Sequence, residues 1–393
     1  MKIAVVGLGR RAVMVLNDLY AVDSGIQLVG YCDPNPVLLD KINLPICGGN
    51  YQSVQDMLES VVPDILVVAS PNHLHLEHVR AGLEAGVKVF CEKPLVSSLE
   101  QTWEMAGLLC QYGSSRLMVG MVLRYSQHML DLKKVIEDGR LGRIVSLEAC
   151  EHILPSHGAF FMRDWRRFSR YSGGYMLEKC CHDLDLYRML VGSRPIKVAS
   201  FGARAAFVPE FESRLEGDQQ YHQRPSYWQS TLNPFTSEAD IVDHQTAILQ
   251  FENGVSMTFH TNTNSPELQR RFSIYGTHGM AEGEFEKGYL KVHCARTNQL
   301  SLDIDYTQDP QVCSHHYGAD RRIAKRLGQF LRCDETPLAV TAKQALEAGI
   351  IALSIDSARQ FGEVIDLQPL WRRLDAFPWH HAQCETELRS HPS

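Results

Sequence analysis

Apolar and polar positions follow two different rhythms along this chain. Over residues 1–120, apolar runs at 3–6, 27–32, 64–69 and 87–90 are separated by stretches with helical spacing, such as 11–20. Apolar strands alternating with amphipathic helices are the pattern of βαβ units around a parallel sheet. A run at 116–124 reads as the last strand of that sheet, and 125–139, closed by Gly139, as a helix. From Arg143 onward the pattern changes: 144–152, 196–206, 243–251, 255–263, 271–275, 280–285, 289–294 and 301–306 read as strands. Turns such as Glu252-Asn253-Gly254 between them mark antiparallel pairing. Helical patterns near 175–190 and 343–360 accompany this series. Residues 209–240, rich in Pro, Gln, Ser and Tyr, break the periodicity, and an exposed excursion is expected there.

Two domains follow: an α/β unit over 1–122 and an α+β unit over 123–393, an open antiparallel sheet with helices on one face. A length of 393 residues agrees, being too great for one ordinary core. Hydrophobic and charged fractions of 44% and 22% are those of a soluble globular protein. The net charge of −7 argues against nucleic acid or an anionic membrane as the main partner. No run approaches the ~18 apolar residues of a membrane span. Lys2-Ile3-Ala4-Val5-Val6-Gly7 is already a strand entering a turn, so no signal peptide is expected. The 11 cysteines include no Cys-x-x-Cys pair, which suggests neither a zinc site nor a redox dithiol. Their odd number fits reduced thiols in a cytoplasm. Cys180-Cys181 beside His182 is set aside as a metal cluster, because buried cysteine commonly behaves as a small hydrophobe.

The chemistry begins at Gly7-Leu8-Gly9-Arg10-Arg11-Ala12, a G-x-G-x-x-A that opens a helix directly after the first strand. The first glycine makes the tight turn, the second admits a pyrophosphate, and Ala12 allows close packing of helix on strand. The helix N-terminus receives the negative charge. Asp33 ends the second strand, where an acid bonds the adenosine ribose and repels a 2′-phosphate, so NAD is expected rather than NADP. Arg10 and Arg11 are the side chains that would work against that preference. The third strand ends in Ser70-Pro71-Asn72-His73-Leu74-His75, whose small and amide groups suit the nicotinamide half of the crevice. His73 and His75 are read as capping or packing residues ahead of catalytic ones. The fourth strand delivers Cys91-Glu92-Lys93-Pro94 to the carboxyl edge of the sheet, where ligands sit in such folds. Pro94 restricts the backbone of Lys93.

A second polar constellation lies in Gly173-Gly174-Tyr175-Met176-Leu177-Glu178-Lys179-Cys180-Cys181-His182-Asp183. Glu178 and His182 share a helical face, and a histidine oriented by a carboxylate suits a general base. A plain stabilising surface pair is the competing reading.

The ordered set Gly7-x-Gly9-x-x-Ala12, Asp33, Ser70-Pro71-Asn72-x-x-His75 and Glu92-Lys93-Pro94 resembles the Gfo/Idh/MocA oxidoreductase family. The resemblance continues through most of the chain. It implies that Lys93 sits near the reacting carbon and the nicotinamide, and that His182 accepts the proton. The family carries Asp-x-x-x-His on this helix, and this chain departs from it with Glu178. Lys179 before the histidine, Arg163-Asp164-Trp165-Arg166 and His315-His316-Tyr317-Gly318-Ala319-Asp320 resemble a sugar-active branch. Trp165 and Arg166 are thereby implied near the nicotinamide, and Arg163, Lys179 and Tyr125 near the substrate. His152 and His157 are further candidates. The helix at 341–361 is implied to pack back on the first domain. Dimers or tetramers through the open face of the sheet are implied as well.

The leading expectation is hydride transfer between NAD and a secondary hydroxyl of a sugar, glycoside or cyclitol. His182, assisted by Glu178, removes the proton, Lys93 polarises the oxygen, and no metal takes part. A redox-assisted glycosidase that recycles its NAD is the first alternative, and a non-catalytic NAD-binding regulator the second.

Overall fold

The computed structural model describes residues 1–216, 219–310, 312, 315–332 and 337–379. The first domain runs β1 (Lys2–Val6), α1 (Arg10–Val22), β2 (Gln27–Cys32), α2 (Val54–Val61), β3 (Ile65–Val68), α3 (His75–Glu84), β4 (Lys88–Cys91), α4 (Leu99–Tyr112) and β5 (Leu117–Val119). Its five strands pair in parallel in the order β2-β1-β3-β4-β5. Every residue of β3 is buried, as expected for a strand covered on both faces. The predicted strand at 116–124 is real only over Leu117–Val119. At Gly120 the chain runs hard against the Glu92 carboxylate, where a Cβ would lie 2.8 Å from an oxygen. It then coils through a 3₁₀ turn, Val122–Tyr125. That turn aims Arg124 at Asp185, to which it is bound by two hydrogen bonds of 2.6 Å in a buried ion pair.

The second domain continues with α5 (Gln127–Glu137), β6 (Ile144–His152), α6 (Pro155–Arg163), α7 (Ser169–Ser172), α8 (Tyr175–Val191), β7 (Pro195–Ala203), β8 (His244–Phe251) and β9 (Ser256–Asn262). There follow β10 (Gln269–Gly276), β11 (Gly279–Glu284), β12 (Tyr289–Cys294), β13 (Leu300–Asp305), α9 (Ala319–Leu331), α10 (Ala342–Phe361), β14 (Ile365–Asp366) and α11 (Gln368–Asp375). The nine-stranded order is β13-β12-β11-β10-β6-β9-β8-β7-β14. All its pairings are antiparallel except β6 with β9, which are parallel. The long helical crossover between those two strands is what parallel pairing requires. Ala149, Leu249, Phe259 and Ile274 are buried on the covered face, while Phe201, Ile248 and Tyr275 stay exposed. α10 packs on α8 and β7 and also on α4 and β5, and α9 packs on α1. Two helices of the second domain thus return to the first.

Most described residues of the segment 209–240 are exposed, as expected, but the segment is anchored to the second domain. Tyr221 and Phe235 are buried with Phe207, their rings 5.3 Å apart. The Thr231 amide donates to the Arg163 carbonyl, and the Arg163 and Arg167 guanidinia donate to the carbonyls of Arg224 and Gln229. These bonds strap the segment over α6 and the turn that follows it.

Candidate active site

The glycine turn is shaped for two different demands. Gly7 has φ +83°, and a Cβ there would meet the Ser70 nitrogen at 2.6 Å, so no side chain fits. At Gly9, by contrast, a Cβ would touch nothing within 4 Å. Gly9 caps α1 without a side-chain cap, and the first turn of that helix holds no acid. Its amides and dipole are left for an anion. Asp33 is held by the Leu8 amide at 2.6 Å and the Asn35 amide at 2.7 Å, beside this turn. A dinucleotide fits this set.

The expectation for Arg11 changes. Its Nε donates to Glu92 at 2.8 Å and its Nη1 to Asp320 at 2.6 Å. Burial alone would lower its pKa, but Glu92 and Asp320 raise it. It ties α1 to α9 and to the lysine loop rather than waiting for a phosphate. Arg10 stays exposed. His75 is wholly buried, its Nδ1 2.8 Å from the Pro94 carbonyl and its Nε2 2.8 Å from the Ser70 carbonyl. It pins the two loops together. The Ser70 hydroxyl lies 2.8 Å from His78 Nδ1. His73 stacks with Trp228 of the strap, ring centroids 6.2 Å apart.

Lys93 and α8 meet across the domain boundary. The Lys93 ammonium donates to the Glu178 carbonyl and lies 3.9 Å from its carboxylate. That contact falls one helical turn before His182. Glu178 does not orient His182, contrary to expectation. Its carboxylate accepts from Arg166 Nε and from Asn72 Nδ2, each at 2.7 Å. Burial opposes its charge, but Lys93 and Arg166 prevail and hold its pKa below the usual value. The longer side chain carries the carboxylate to the domain boundary, where two cations and an amide claim it. Asn72 also donates to the Ser172 carbonyl at 2.9 Å, so its Nδ2 serves this junction.

His182 is buried, and its Nδ1 is enclosed without a partner. Burial, then the charges of Lys93, Arg270, His316 and Lys179, push its pKa well below the usual value. It is a neutral ring at neutral pH, able to accept a proton. Behind it, Lys179 binds Glu151 at 2.8 Å, and Arg270 binds Glu151 at 2.7 Å and Asp183 at 3.0 Å. Burial raises the Asp183 pKa to about 6 against the pull of Arg270.

Arg166 lies over the Trp165 ring at 4.3 Å and binds Asp164 at 2.7 Å as well as Glu178. Trp165 in turn lies 6.3 Å from Trp228. His157 is hemmed in near the same wall: burial, then Lys179, Arg224, Arg166 and Lys93, hold its pKa well down. His152 stands apart, packed edge-on against His260 at 4.8 Å. Arg163 is buried and spends its Nη2 on the strap, so it supports the wall from behind. Tyr125 is partly buried, its carbonyl accepting from Arg322 at 3.0 Å and its phenol neighbouring the Ala339 carbonyl, Arg326 and Arg124. No recorded hydrogen bond joins it to Lys93 or His182 among the described residues.

Glu151 and Arg270 were not singled out from the sequence, and Asp183 and Asp320 were quoted within their segments without a role of their own. The available signal was charge at inward strand and helix positions, where apolar residues are the rule. Among the described residues no group of acids, histidines and cysteines could hold a metal ion.

Fold and crevice together define a two-domain, dinucleotide-binding oxidoreductase. One family model, the oxidoreductase family with NAD-binding Rossmann fold, matches residues 1–121, and the GFO/IDH/MocA C-terminal domain model matches 129–282. The chain belongs to the Gfo/Idh/MocA oxidoreductase family. It is 24% identical over 264 residues to the YteT protein of Bacillus subtilis (strain 168), covering 58% of this chain and 61% of that protein. It is 30% identical over 211 residues to D-glucoside 3-dehydrogenase of Escherichia coli (strain K12), covering 50% and 56%. These matches span less than two thirds of either relative. In fold it resembles scyllo-inositol dehydrogenase from Lactobacillus casei, crystallised with bound NAD(H) and scyllo-inositol. The TM-score is 0.71 at 20% identity, over 93% of this chain and 99% of that one.

Proposed function

We propose that the protein oxidises a secondary hydroxyl of a sugar, glycoside or cyclitol with NAD. The observation that carries this reading is that Lys93 of one domain bonds the backbone of α8 at Glu178, one helical turn before the buried His182 of the other, whose pKa the lysine charge helps to lower. The names of the relatives, a glucoside dehydrogenase and an inositol dehydrogenase, support the substrate class.

Gly7, Leu8 and Gly9 at the start of α1 would hold the pyrophosphate, and Asp33 the ribose. Arg11 is engaged elsewhere, which leaves NAD the better fit than NADP. Bound NAD supplies a hydride acceptor for the carbinol carbon. His182 takes the hydroxyl proton on Nε2, the ring nitrogen that is not enclosed. Lys93 stabilises the oxygen as negative charge develops on it. Glu178 does not assist His182 directly. It balances Lys93 and Arg166, so the lysine stays in place without a second unpaired cation beside it. Trp228, exposed beside the buried Trp165, offers an apolar ring face suited to sugar C–H surfaces. Association through the open sheet face, with Phe201 and Ile248 exposed on it, belongs to the same proposal and is read by light scattering.

The test is a panel of sugars, cyclitols and aryl glycosides incubated with protein and NAD, read for NADH absorbance and for released aglycone. NADH formation supports the dehydrogenase. Aglycone release without net NADH supports the NAD-recycling glycosidase. Tight NAD binding with no carbohydrate altered contradicts both readings and leaves a binding role.

A further inference from the structure

We propose that His316, held by Asp320, is a second base of the cleft, taking a carbon-bound proton next to the carbon that is oxidised. This rests on the reading of the cleft as a carbohydrate-oxidising site.

The carboxylate-oriented histidine sought at Glu178 and His182 exists elsewhere in the chain. His316 Nδ1 lies 2.8 Å from Asp320 Oδ2, one turn apart at the start of α9. The other Asp320 oxygen accepts from Arg11 Nη1 at 2.6 Å, and Arg11 Nε donates to Glu92 at 2.8 Å. Glu92 precedes Lys93. An unbroken chain of charged hydrogen bonds therefore runs from the lysine loop of one domain to His316 of the other. Burial opposes the charge of Asp320, but His316 and Arg11 outweigh it and lower its pKa. An ionised acceptor at Nδ1 fixes the proton there and leaves Nε2 bare. Among the described residues that Nε2 has no recorded partner and is not enclosed.

The backbone is bent to present this ring. His316 (φ 48°, ψ 34°) and Tyr317 (φ 56°, ψ 44°) are both left-handed. The strain is held by the Tyr317 hydroxyl on Glu286 and by its ring against Phe285 at 4.9 Å and His128 at 5.8 Å. Strain fixed in this way by its surroundings gathers at functional sites. Simple capping of α9 does not account for it, because the Asp320–His316 bond satisfies none of that helix's free amides.

The two rings differ in what surrounds them. Burial, then the charges of Lys93, Arg270, His316 and Lys179, all lower the His182 pKa. Burial lowers the His316 pKa as well; Asp320, bonded to Nδ1, opposes that shift, while Arg11 and Lys179 add to it. Histidines in environments that separate their proton affinities divide the work. His182 accepts the hydroxyl proton. Once the carbonyl has formed, with NAD as oxidant, the adjacent C–H bond breaks. Its proton goes to His316 Nε2, and its electron pair forms an enolate whose oxygen faces Lys93. Reversal in heavy water returns deuterium to that carbon.

The experiment incubates the full-length protein with NAD in D₂O and methyl glucosides, scyllo-inositol and myo-inositol, reading deuterium on carbon by mass spectrometry and NADH by absorbance. Wild type is expected to incorporate deuterium. His316→Asn should slow incorporation about 10²–10⁴-fold while oxidation itself changes only a few-fold, and His182→Ala should lose both. Asp320→Asn, which keeps the ring, should slow exchange less and shift its pH profile. This variant serves if His316→Asn does not fold. Oxidation without deuterium in wild type, or exchange at the wild-type rate in His316→Asn, overturns the assignment of His316 alone. No carbohydrate altered by the wild type overturns the reading of the site and this inference with it.

Discussion

The two walls of the cleft are built by opposite means. The first-domain wall comes from segments close in sequence: Gly7, Leu8 and Gly9 make the turn, and the Leu8 amide holds Asp33, one helix and one strand further on. The second-domain wall is assembled from distant partners. Glu178 is claimed by Asn72, Arg166 and Lys93, Arg270 by Glu151 and Asp183, and His316 is linked through Asp320 to Arg11. Local geometry decides where a nucleotide lies. Long-range pairing decides which groups beside it are charged, and so which of them accept protons.

The comparison breaks most sharply at Glu178. Its replacement by Ala leaves Lys93 without its carboxylate and Arg166 with Asp164 alone in a largely buried junction, and removing one partner of a buried ionic set costs up to about 3–5 kcal/mol. Thermal unfolding should show that loss, while Glu178→Gln, which keeps the Asn72 contact, should lose less. An equal effect of the two would show that charge is not what the residue contributes.

A smaller effect is expected at His128, whose two ring nitrogens are buried without partners among Phe285 and Tyr306 and whose pKa burial lowers to about 4. The folded value lies below the unfolded one, so the unfolded chain binds more protons as the pH falls below the usual histidine range. Stability is therefore lost downward from there towards pH 4, by about 2 kcal/mol at pH 5 for this ring alone. Urea unfolding of wild type and His128→Phe at pH 7 and pH 5 reads the difference. Parallel losses in the two proteins would contradict it.

The glycines separate fold from ligand. Gly7→Ala should destabilise the protein by at least about 1–2 kcal/mol, since a left-handed residue gains a side chain and that side chain meets the Ala69–Ser70 backbone. Gly9→Ala should leave unfolding within about 0.5 kcal/mol of wild type yet weaken NAD binding by calorimetry, because the space its Cβ enters is free of protein. Unchanged NAD affinity there would remove the nucleotide from the turn.

The same contrast explains what the sequence revealed. The βαβ order, the glycine turn, Asp33 and the position of Lys93 were legible because each is encoded within a few residues. Most sheet strands were legible from alternation. The parallel pairing of β6 with β9 was not, since alternation does not report strand direction. Glu178 was assigned to His182 because spacing of four shows which side chains can meet and says nothing of stronger competitors. Arg166 and Asn72, 12 and 106 residues away, are such competitors. Arg11 looked like a phosphate ligand from its place after the glycines, and its true partner Asp320 lies 309 residues on. The strap at 209–240 was hidden because backbone carbonyls, which composition does not show, accept most of the bonds that hold it.

The account turns on His182 as the neutral proton acceptor between the domains. Single-turnover oxidation of a carbohydrate that the wild type accepts, compared in wild type and His182→Ala with NAD affinity measured alongside, tests it most directly. A fall of about 10²–10⁴-fold in the oxidation rate with NAD affinity unchanged is predicted. Oxidation at close to the wild-type rate in the variant would contradict it.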